Sequence, residues 1–535
     1  MRRKMNKLGR QSCRHKYNIM HPIYEKHASA SKLFDRTLER TKRQHWCDWL
    51  EHTTDPDIWT IHKVILATST DGAKAQISAL KHCHDESEVT ANTNVEKAQA
   101  LAESFFLTKP DDTGIPADYT YPSACCKLDQ ITKKQITLQI RKLKPYKAPG
   151  PDGIPNIMLM CCSDLLIDRL YYIYKAMVKR NLHYTLWKTS TTVVLCKPGK
   201  LRYDIPKAYR PIALLNTMWK VLAGMIMDQL TFYYEKYQLL LANHFGGRPG
   251  HTTTDVLLLV THKIRNAWRQ GNVTSTLFLD VEGAFPNAIS TRLYHNLRKR
   301  RISPRYIDFV ASMLNGYTTF LKFDDHISKM ITLDNGIGQG DLLSMLYQFY
   351  NTDILDVPCR NNKAAIAYVD DVLILTTAKN FTDTHKILAD MMTQEEGIYQ
   401  WTKDHNSPIK HSKLAPINFV HRNNRKERPD LVLPNSTIKP TTSAKYLGIM
   451  LNQHLNWKVQ QVFVVEKGSK WTAQIKCITN TSWGIMPRYA RHLYIRVALP
   501  RILYGAEVWC RPVKGMCSTQ EGKGTSSIRK TFLWP

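Results

Sequence analysis

The sequence predicts an α+β fold, and three observations lead to that prediction. The chain has 535 residues, of which 43% are hydrophobic, so it can bury a large core or several smaller ones. Apolar residues before residue 270 recur mainly at helical spacing. Beyond residue 270, short runs of β-branched residues alternate with helical segments. We therefore expect a globular protein with several lobes, the later ones built on a sheet.

The charge of the chain is strongly unbalanced. Lys and Arg number 75 against 45 Asp and Glu, which gives a net charge of +30. Such an excess is typical of proteins that bind nucleic acid, and an anionic membrane surface is the alternative partner. No apolar run approaches the roughly 18 residues of a spanning helix, and the basic first residues lead into no apolar signal segment. We expect an intracellular protein, nuclear or cytoplasmic, that is neither secreted nor membrane-bound.

The first 130 residues predict a basic helix followed by a connector. Residues 1–50 hold 13 Lys or Arg against four acids, with Leu33, Leu38 and Trp46 roughly on one helical face. This helix is either a solvated helix docked by its tryptophans or an arm that binds a nucleic-acid backbone. The polar, turn-rich composition of residues 85–130 indicates a connector without regular structure.

The remaining elements follow in order along the chain. Helical spacing predicts helices over 131–143, 157–180 and 217–240, with a β-prone run at 191–196. Two Pro and two Gly within 147–153 predict a rigid turn after the first helix. Strands are predicted at 274–281, 366–376 and 446–451, and helical spacing returns from about residue 460.

Three carboxylates stand out in the second half of the chain. Asp280 ends an apolar strand, and Asp370 and Asp371 interrupt the apolar run 366–375, which predicts a hairpin with its charges at the tip. Adjacent carboxylates in apolar surroundings repel each other unless a cation neutralises them, and a divalent metal would do so. The alternative is an ordinary Asp-Asp turn between two strands.

These motifs resemble those of reverse transcriptases. Residues 368–371 resemble the Tyr-x-Asp-Asp box of that family, and residues 278–285 resemble its preceding metal-binding motif. Other blocks resemble, in family order, those of non-long-terminal-repeat (LINE-type) retrotransposons, and they occupy residues 147–154, 197–212, 244–255, 335–341 and 446–449. Because so many blocks keep one order, a chance match is excluded.

The resemblance implies a right-hand polymerase fold with an antiparallel palm sheet and a basic helical N-terminal extension. Its expected domains are the extension at 1–130, fingers at 131–270, palm at 271–458 and a truncated thumb at 459–535. It also implies an RNA-directed DNA polymerase that joins dNTPs to a primer 3′-hydroxyl, with an RNA template, a DNA primer and their heteroduplex as partners. The oligomeric state stays open.

The resemblance also assigns the metal site. Asp280, Asp370 and Asp371, with the backbone carbonyl of Val281, are implied to hold two Mg²⁺ ions, for which Mn²⁺ is a possible substitute. Two such ions stabilise the attacking and leaving oxygens of a nucleotidyl transfer.

Further roles carry over to residues that would surround the nucleotide. Lys197 and Arg210 are implied to hold the triphosphate. Phe285 occupies the family's steric-gate position, where an aromatic ring excludes a ribose 2′-hydroxyl. The ordinary alternatives are surface solvation for the two cations and core packing for the ring.

Two more assignments concern a loop and a lysine. Gln339 and Gly340 match the loop that contacts the nucleotide and the template, although turn formation alone would also favour the glycine. Lys413 is a candidate donor of the proton taken up by leaving pyrophosphate, or a solvated surface lysine.

The chain carries no endonuclease before these blocks and no ribonuclease H after them, so we expect a fragment of a longer retroelement protein. Two alternatives to an active enzyme are considered. One is an inactive, truncated remnant that binds nucleic acid. The other, a host polymerase similar to telomerase, lacks the RNA-binding extension expected of it.

Overall fold

The chain divides into two compact units, one formed by Met1–Asp71 with Lys458–Pro535 and the other by Gly72–Trp457. The four domains predicted from the sequence are a different division and stay a prediction. The computed structural model describes residues 1–15, 18, 21–54, 57–66, 76–84, 87–108, 114–197, 200, 202–281, 283–338, 341–357, 362–421, 428–434, 436–479 and 484–510.

The first unit begins with three helices, α1 (Arg2–Arg14), α2 (Ile23–Glu51) and α3 (Ile58–Leu66). The basic region 1–50 therefore forms two helices, where the sequence predicted one. Leu50 is buried in α2, but Leu33 and Leu38 are exposed, so the predicted apolar face is covered only near the C-terminal end of the helix.

The second unit begins with a hairpin and a helix, and the prediction of an unstructured connector over 85–130 is wrong in its first part. Strands β1 (Leu80–His84) and β2 (Ser87–Ala91) pair antiparallel, and α4 (Asn94–Phe105) follows. The Thr93 side chain accepts a hydrogen bond from the Glu96 backbone, and the Glu96 carboxylate accepts one from the Thr93 backbone. This capping box begins α4, in which Ala98, Leu101 and Phe105 are buried at helical spacing, a pattern that the polar composition of the whole region 85–130 concealed.

The helices predicted between 131 and 240 are confirmed, except that the helix predicted over 157–180 is divided into two helices. They are α5 (Lys133–Lys142), α6 (Asn156–Cys161), α7 (Ser163–Arg180) and α8 (Thr217–Lys236), and α9 (Thr253–Arg269) follows. Later helices of this unit are α10 (Ser290–Lys299), α11 (Pro304–Leu314), α12 (Tyr347–Asn351), α13 (Phe381–Thr393) and α14 (Ile398–Asp404), with short 3₁₀ helices at Thr185–Lys188, Pro206–Ala208, Leu342–Leu346, Thr352–Leu355 and His411–Lys413.

The strands that follow β2 form the sheets of this unit. They are β3 (Thr189–Cys196), β4 (Tyr209–Leu214), β5 (Val273–Asp280), β6 (Tyr317–Phe323), β7 (His326–Ile327), β8 (Ile331–Leu333), β9 (Lys363–Tyr368), β10 (Asp371–Ala378), β11 (Ala415–Phe419), β12 (Leu431–Leu433), β13 (Ser436–Ile438), β14 (Ser443–Tyr446) and β15 (Ile449–Asn452). The α+β prediction is confirmed in that the chain combines helices with sheets.

A four-stranded sheet in the order β11-β5-β10-β9 lies at the centre of the unit, and all its neighbours pair antiparallel. Helix α13 packs against β5 and β10, and α9 packs against β5. Leu277 and Ile374 on paired strands belong to one apolar core that continues into α5, α7 and α8. Because β5 is covered by packed helices, only its last residue can place a charge at the sheet edge.

A second sheet is mixed. Strands β3 and β4 pair antiparallel, and β3 pairs parallel with β6, which in turn pairs antiparallel with β7 and β8. The single strand predicted at 446–451 is instead the hairpin of β14 and β15. Leu447 and Gly448 have φ of 44° and 85°, values that a two-residue hairpin turn requires.

The first unit ends with α15 (Lys458–Lys476), α16 (Pro487–Leu493), a π-helical turn at Tyr494–Ala498, α17 (Leu499–Ile502) and α18 (Ala506–Trp509). The π-helical turn lies just before Pro500, which has no backbone N–H to complete an α-helical ladder. Within this unit, the ring of His62 stacks on Trp471 at 5.6 Å. In the part of the chain that the structure describes, no helix has both the length and the apolarity to span a bilayer.

Candidate active site

Three carboxylates from two distant segments meet at one edge of the central sheet. Asp280 is the last residue of β5 and Asp371 the first of β10, and the two are direct partners in the ladder. Asp370 precedes Asp371 in the turn that joins β9 to β10. The structure therefore brings together the three acids that the sequence singled out.

The turn differs in detail from the predicted hairpin with both acids at its tip. Tyr368 pairs with Asp371, so the two-residue tip consists of Val369 and Asp370, and Asp371 already belongs to β10. Val369 has φ of +58°, in the left-handed region that β-branched residues rarely adopt. Asp370 therefore lies in the turn, whereas Asp371 has the extended backbone of a β-strand.

Burial and mutual repulsion disfavour the ionised carboxylates. Burial raises the pKa of Asp370, and the charge of Asp280 raises it further. The Asp371 side chain reaches solvent, yet partial burial and the charges of Asp370 and Asp280 raise its pKa to about 6. Such a group of acids favours a bound cation, because a positive charge would remove both penalties.

Carboxylate oxygens are the ligands that Mg²⁺ prefers, so the chemistry of these side chains suits a divalent metal. The described residues nevertheless contain no group of three or more His, Cys, Asp or Glu side chains that is already arranged to hold an ion. Val281, the fourth predicted ligand through its carbonyl, is buried and its backbone bridges to Ile409. The carboxylate and carbonyl oxygens that would bind a metal therefore lie at the same edge of the sheet, but they do not form a complete coordination shell.

Cations lie around these acids. The Lys413 ammonium donates to the Asp280 carboxylate in an ion pair. Lys197 donates to the Lys207 carbonyl at 2.8 Å. Burial lowers the pKa of Lys197, as do the nearby charges of Lys200, Arg210 and Lys413, whereas Asp280 raises it.

Arg210 belongs to the mixed sheet, and its charge acts on Asp370 of the central site. It lies on β4, opposite Leu195 of β3, and its side chain is exposed. Its positive charge lowers the pKa of Asp370 against the effect of burial. The structure thus brings the three predicted cations Lys197, Arg210 and Lys413 to the three predicted acids.

Phe285 lies five residues beyond Asp280, and its ring packs at 4.8 Å from that of Tyr347. Burial raises the pKa of Tyr347 far above its usual range, and the charge of Asp370 adds to this effect, so Tyr347 lies close to the acids. The Ile337 backbone donates to the Phe285 carbonyl at 2.9 Å, which fixes the start of the following loop beside the ring. Gln339 and Gly340, the two predicted loop contacts, lie outside the described residues.

Three further residues support this site without having been assigned a role from the sequence, although Gly246 lies in the predicted block 244–255. Tyr347 packs on Phe285, the Asn351 amide donates to the Val369 carbonyl at 2.6 Å, and Gly246 lies against the Val369 backbone. Asn351 is fully buried, and its polar neighbours Gln348 and Thr352 are buried as well. A buried amide needs a partner, but the sequence does not distinguish Asn351 from these neighbours.

Comparisons with known proteins agree with this site. Residues 196–451, which include all three acids, match the family described as reverse transcriptase (RNA-dependent DNA polymerase). The chain is 24% identical to the RNA-directed DNA polymerase from mobile element jockey of Drosophila funebris, over 82% of this chain and 48% of that protein. It is also 24% identical to the probable RNA-directed DNA polymerases from transposons BS and X-element of Drosophila melanogaster, over 71% and 68% of this chain and 42% and 40% of those proteins.

Residues 196–451 therefore match the reverse transcriptase family, and the similar proteins are polymerases of mobile elements and transposons, which supports the resemblance to non-long-terminal-repeat (LINE-type) retrotransposons that the motifs indicated. It spans about half the length, or less, of these curated relatives. A solved structure of apo telomerase from Candida tropicalis, truncated from its C-terminal domain, gives a TM-score of 0.35 at 10% identity over 56% of this chain and 59% of that chain. A likeness of that degree carries no argument.

Proposed function

We propose that this chain is an RNA-directed DNA polymerase, which transfers a nucleotide from a dNTP to the 3′-hydroxyl of a DNA primer paired with an RNA template. One observation carries the proposal: Asp280 lies directly opposite Asp371, with Asp370 in the adjoining turn, inside the segment that matches the reverse transcriptase family. Phosphoryl transfer of this kind needs positioning and charge neutralisation, and no protein nucleophile.

Asp280, Asp370 and Asp371, with the Val281 carbonyl, would hold two divalent cations. Mg²⁺ is the proposed ion and Mn²⁺ a possible substitute. When bound, such ions neutralise developing charge on the attacking and leaving oxygens. The raised pKa values of Asp370 and Asp371 support the proposal, because these acids gain most from a cation.

The surrounding side chains would bind and orient the nucleotide. Lys197 and Arg210 lie beside the acids and would hold the triphosphate, with Gln339 and Gly340 as further proposed contacts. Lys413, already paired with Asp280, would supply a proton from Nζ to leaving pyrophosphate. Phe285, braced by the Tyr347 ring, would exclude a ribose 2′-hydroxyl.

The domain assignment belongs to the same proposal: extension 1–130, fingers 131–270, palm 271–458 and thumb 459–535. The central antiparallel sheet and its acids fall within 271–458, which supports the position of the palm. The net charge of +30 suits RNA, DNA and their heteroduplex as partners. The nucleus and the cytoplasm are the compartments where these substrates meet.

Primer extension tests the proposal. The full chain is incubated with an RNA template, a labelled DNA primer, dNTPs and Mg²⁺, beside the matched variant Asp370→Asn. We expect extension by the wild type and at least about 10³-fold slower extension by the variant. The absence of extension by the wild type, or equal extension by both proteins, would reject the proposal.

A second candidate is nucleic-acid binding without catalysis. One observation favours it: the Lys413 ammonium already neutralises one of the acids through its ion pair with Asp280. Under this alternative, the chain binds RNA with an affinity that falls steeply with salt, while no nucleotide is incorporated at any Mg²⁺ concentration. The same extension assay, run beside a filter-binding titration, distinguishes the two.

A further inference from the structure

The turn that carries Asp370 is held in an unfavourable backbone conformation. Its tip has only two residues, and the first, Val369, has φ of +58°. Glycine adopts this region freely, whereas a β-branched residue there crowds its own carbonyl. A conformation of this kind persists only where the surroundings impose it.

One contact that imposes it comes from Asn351, at the C-terminal end of α12. The Asn351 side chain is fully buried, and its Nδ2 donates to the Val369 carbonyl at 2.6 Å. Helix α12 is itself anchored, because Asn296 Nδ2 donates to the carbonyls of Phe349 and Tyr350, each at 3.2 Å. These hydrogen bonds hold α12 in place, and the Asn351 side chain is held with it.

A second contact lies beside the turn. A Cβ added to Gly246 would meet the Val369 backbone nitrogen at 2.3 Å, so only glycine permits this approach. The same segment is bonded to β9, since the Phe245 backbone donates to the Ala367 carbonyl at 2.9 Å and the Ala367 backbone donates to Asn243 at 3.0 Å. The segment 243–246 thus fixes the strand that enters the turn.

We infer that Asn351 is a positioning residue for Asp370, an inference that rests on the proposed function. The carbonyl and N–H of one peptide unit point in opposite directions, so the bond to the Val369 carbonyl also sets the direction of the Asp370 N–H. That N–H lies beside the Asp370 carboxyl group and lowers its pKa against the effect of burial. By orienting one peptide, Asn351 directs the carboxylate that the reaction needs.

The test compares Asn351→Leu, which keeps the size of the side chain and removes the donor, with Thr352→Val as the matched control. Thr352 is the next residue, is equally buried, and has a hydroxyl without a hydrogen-bond partner. We expect Asn351→Leu to lower kcat for primer extension about 10²-fold with unchanged affinity for the primer-template, and Thr352→Val to leave kcat unchanged. A kcat equal to that of the wild type in folded Asn351→Leu would overturn the inference.

A rescue experiment separates positioning from a general structural role. In Val369→Gly the left-handed turn carries no penalty, so the turn depends less on its external contact. We expect the loss of kcat caused by Asn351→Leu to be about tenfold smaller in the Val369→Gly background than in the wild type. Additive effects of the two changes would overturn the inference. If Asn351→Leu alone fails to fold, the same comparison is made with Asn351→Ala.

A structural readout keeps the inference distinct from the proposed function. Crystal structures of the wild type and Asn351→Leu are compared at the peptide that joins Val369 to Asp370. We expect φ of Val369 to leave the left-handed region in the variant, and an unchanged turn would overturn the inference. Lack of extension by the wild type would instead reject the proposed function, and the orientation of the peptide would still be measured.

Discussion

Asp280 and Asp371 are direct partners at the end of the ladder between β5 and β10, although 91 positions separate them in the sequence. The pairing places two like charges on neighbouring strands, and Asp370 adds a third in the turn. Like charges opposite each other destabilise a sheet. The three acids therefore lower the stability of the fold, and we expect their role to be catalytic.

Asp371→Asn is expected to separate activity from stability. The amide keeps the shape and removes the charge, so nucleotide incorporation should fall about 10³-fold or more. Because the pKa of Asp371 is raised to about 6 in the folded state, its ionised form destabilises the fold above the unfolded pKa of 3.8. At pH 7.5 the variant should therefore be more stable, by about 1 kcal/mol once solvent screening is allowed for.

The measurements are primer extension with Mg²⁺ and the free energy of unfolding in urea without divalent cations, both at pH 7.5, because a bound cation would itself remove the repulsion. A variant that is less stable than the wild type would contradict the electrostatic argument, whatever its activity. Asp383→Asn, at an exposed first-turn residue of α13 that lies 12 positions beyond Asp371, controls for the loss of a negative charge.

Lys413→Met is expected to slow incorporation about 10²-fold, since the methionine keeps the length of the side chain but has no proton to give. The residue pairs with Asp280 in the structure, so the variant also removes the neutralising charge from that acid. Lys410→Met is the control, because Lys410 lies on the same segment and contacts Asp280 only through its backbone N–H, at 3.4 Å. Single-turnover extension measured from pH 6 to 9 checks the prediction.

The variant Lys413→Arg decides between two roles for this lysine, because a guanidinium keeps the positive charge but gives up a proton far less readily than an ammonium. Incorporation by Lys413→Arg that is as slow as by Lys413→Met would support proton donation. Incorporation by Lys413→Arg at the wild-type rate would show that the lysine acts only through its charge.

The apolar runs that Asp280 ends and that Asp370 and Asp371 interrupt predicted a strand end and a hairpin tip, and the resemblance to reverse transcriptases implied that the three acids meet. The helices α5, α7 and α8 were predicted because their apolar spacing is regular over many residues. The predicted connector failed where α4 forms, because a capping box and a few buried residues suffice for a short helix.

The supports of the site could not be predicted, since they are relations across the fold. Nothing near Asn351 in the sequence indicates that its amide reaches the turn at Val369, 18 residues later. Likewise, Gly246 lies in the predicted block 244–255, but nothing in that block indicates that it approaches the backbone of Val369. The predicted contacts Gln339 and Gly340 lie outside the described residues, so their roles stay predictions.

Phe285→Ala is expected to relax the choice of sugar. Removing the ring opens the space beside Tyr347, so ribonucleotides should be incorporated about 10²-fold more readily relative to deoxynucleotides. Tyr347→Phe is the matched control, because it keeps the ring that packs on Phe285 and removes only a hydroxyl. The measurement is the ratio of kcat/KM for dNTP and rNTP. An unchanged ratio in Phe285→Ala would assign the ring to core packing.

His244 provides a test of stability that is independent of activity. It is fully buried beside β9, and neither ring nitrogen has a hydrogen-bond partner. Burial, assisted by the charges of Arg248 and Arg300, lowers its pKa to about 3. Between pH 6.5 and about pH 3, the unfolded chain therefore binds a proton at this residue that the folded chain does not. The contribution of His244 to the free energy of unfolding is consequently lost as the pH falls.

His244→Leu should remove this pH-dependent contribution to the free energy of unfolding, because leucine has a similar size and cannot be protonated. Lowering the pH from 7.5 to 5.5 should cost the wild type about 1 kcal/mol more in the free energy of unfolding than it costs the variant. Urea titrations of both proteins at the two pH values measure the difference. The other buried histidines, such as His405, whose pKa burial also lowers to about 3, contribute equally to both proteins and cancel. An equal loss of stability in the two proteins would mean that His244 accepts a proton in the folded state, and that water reaches its ring.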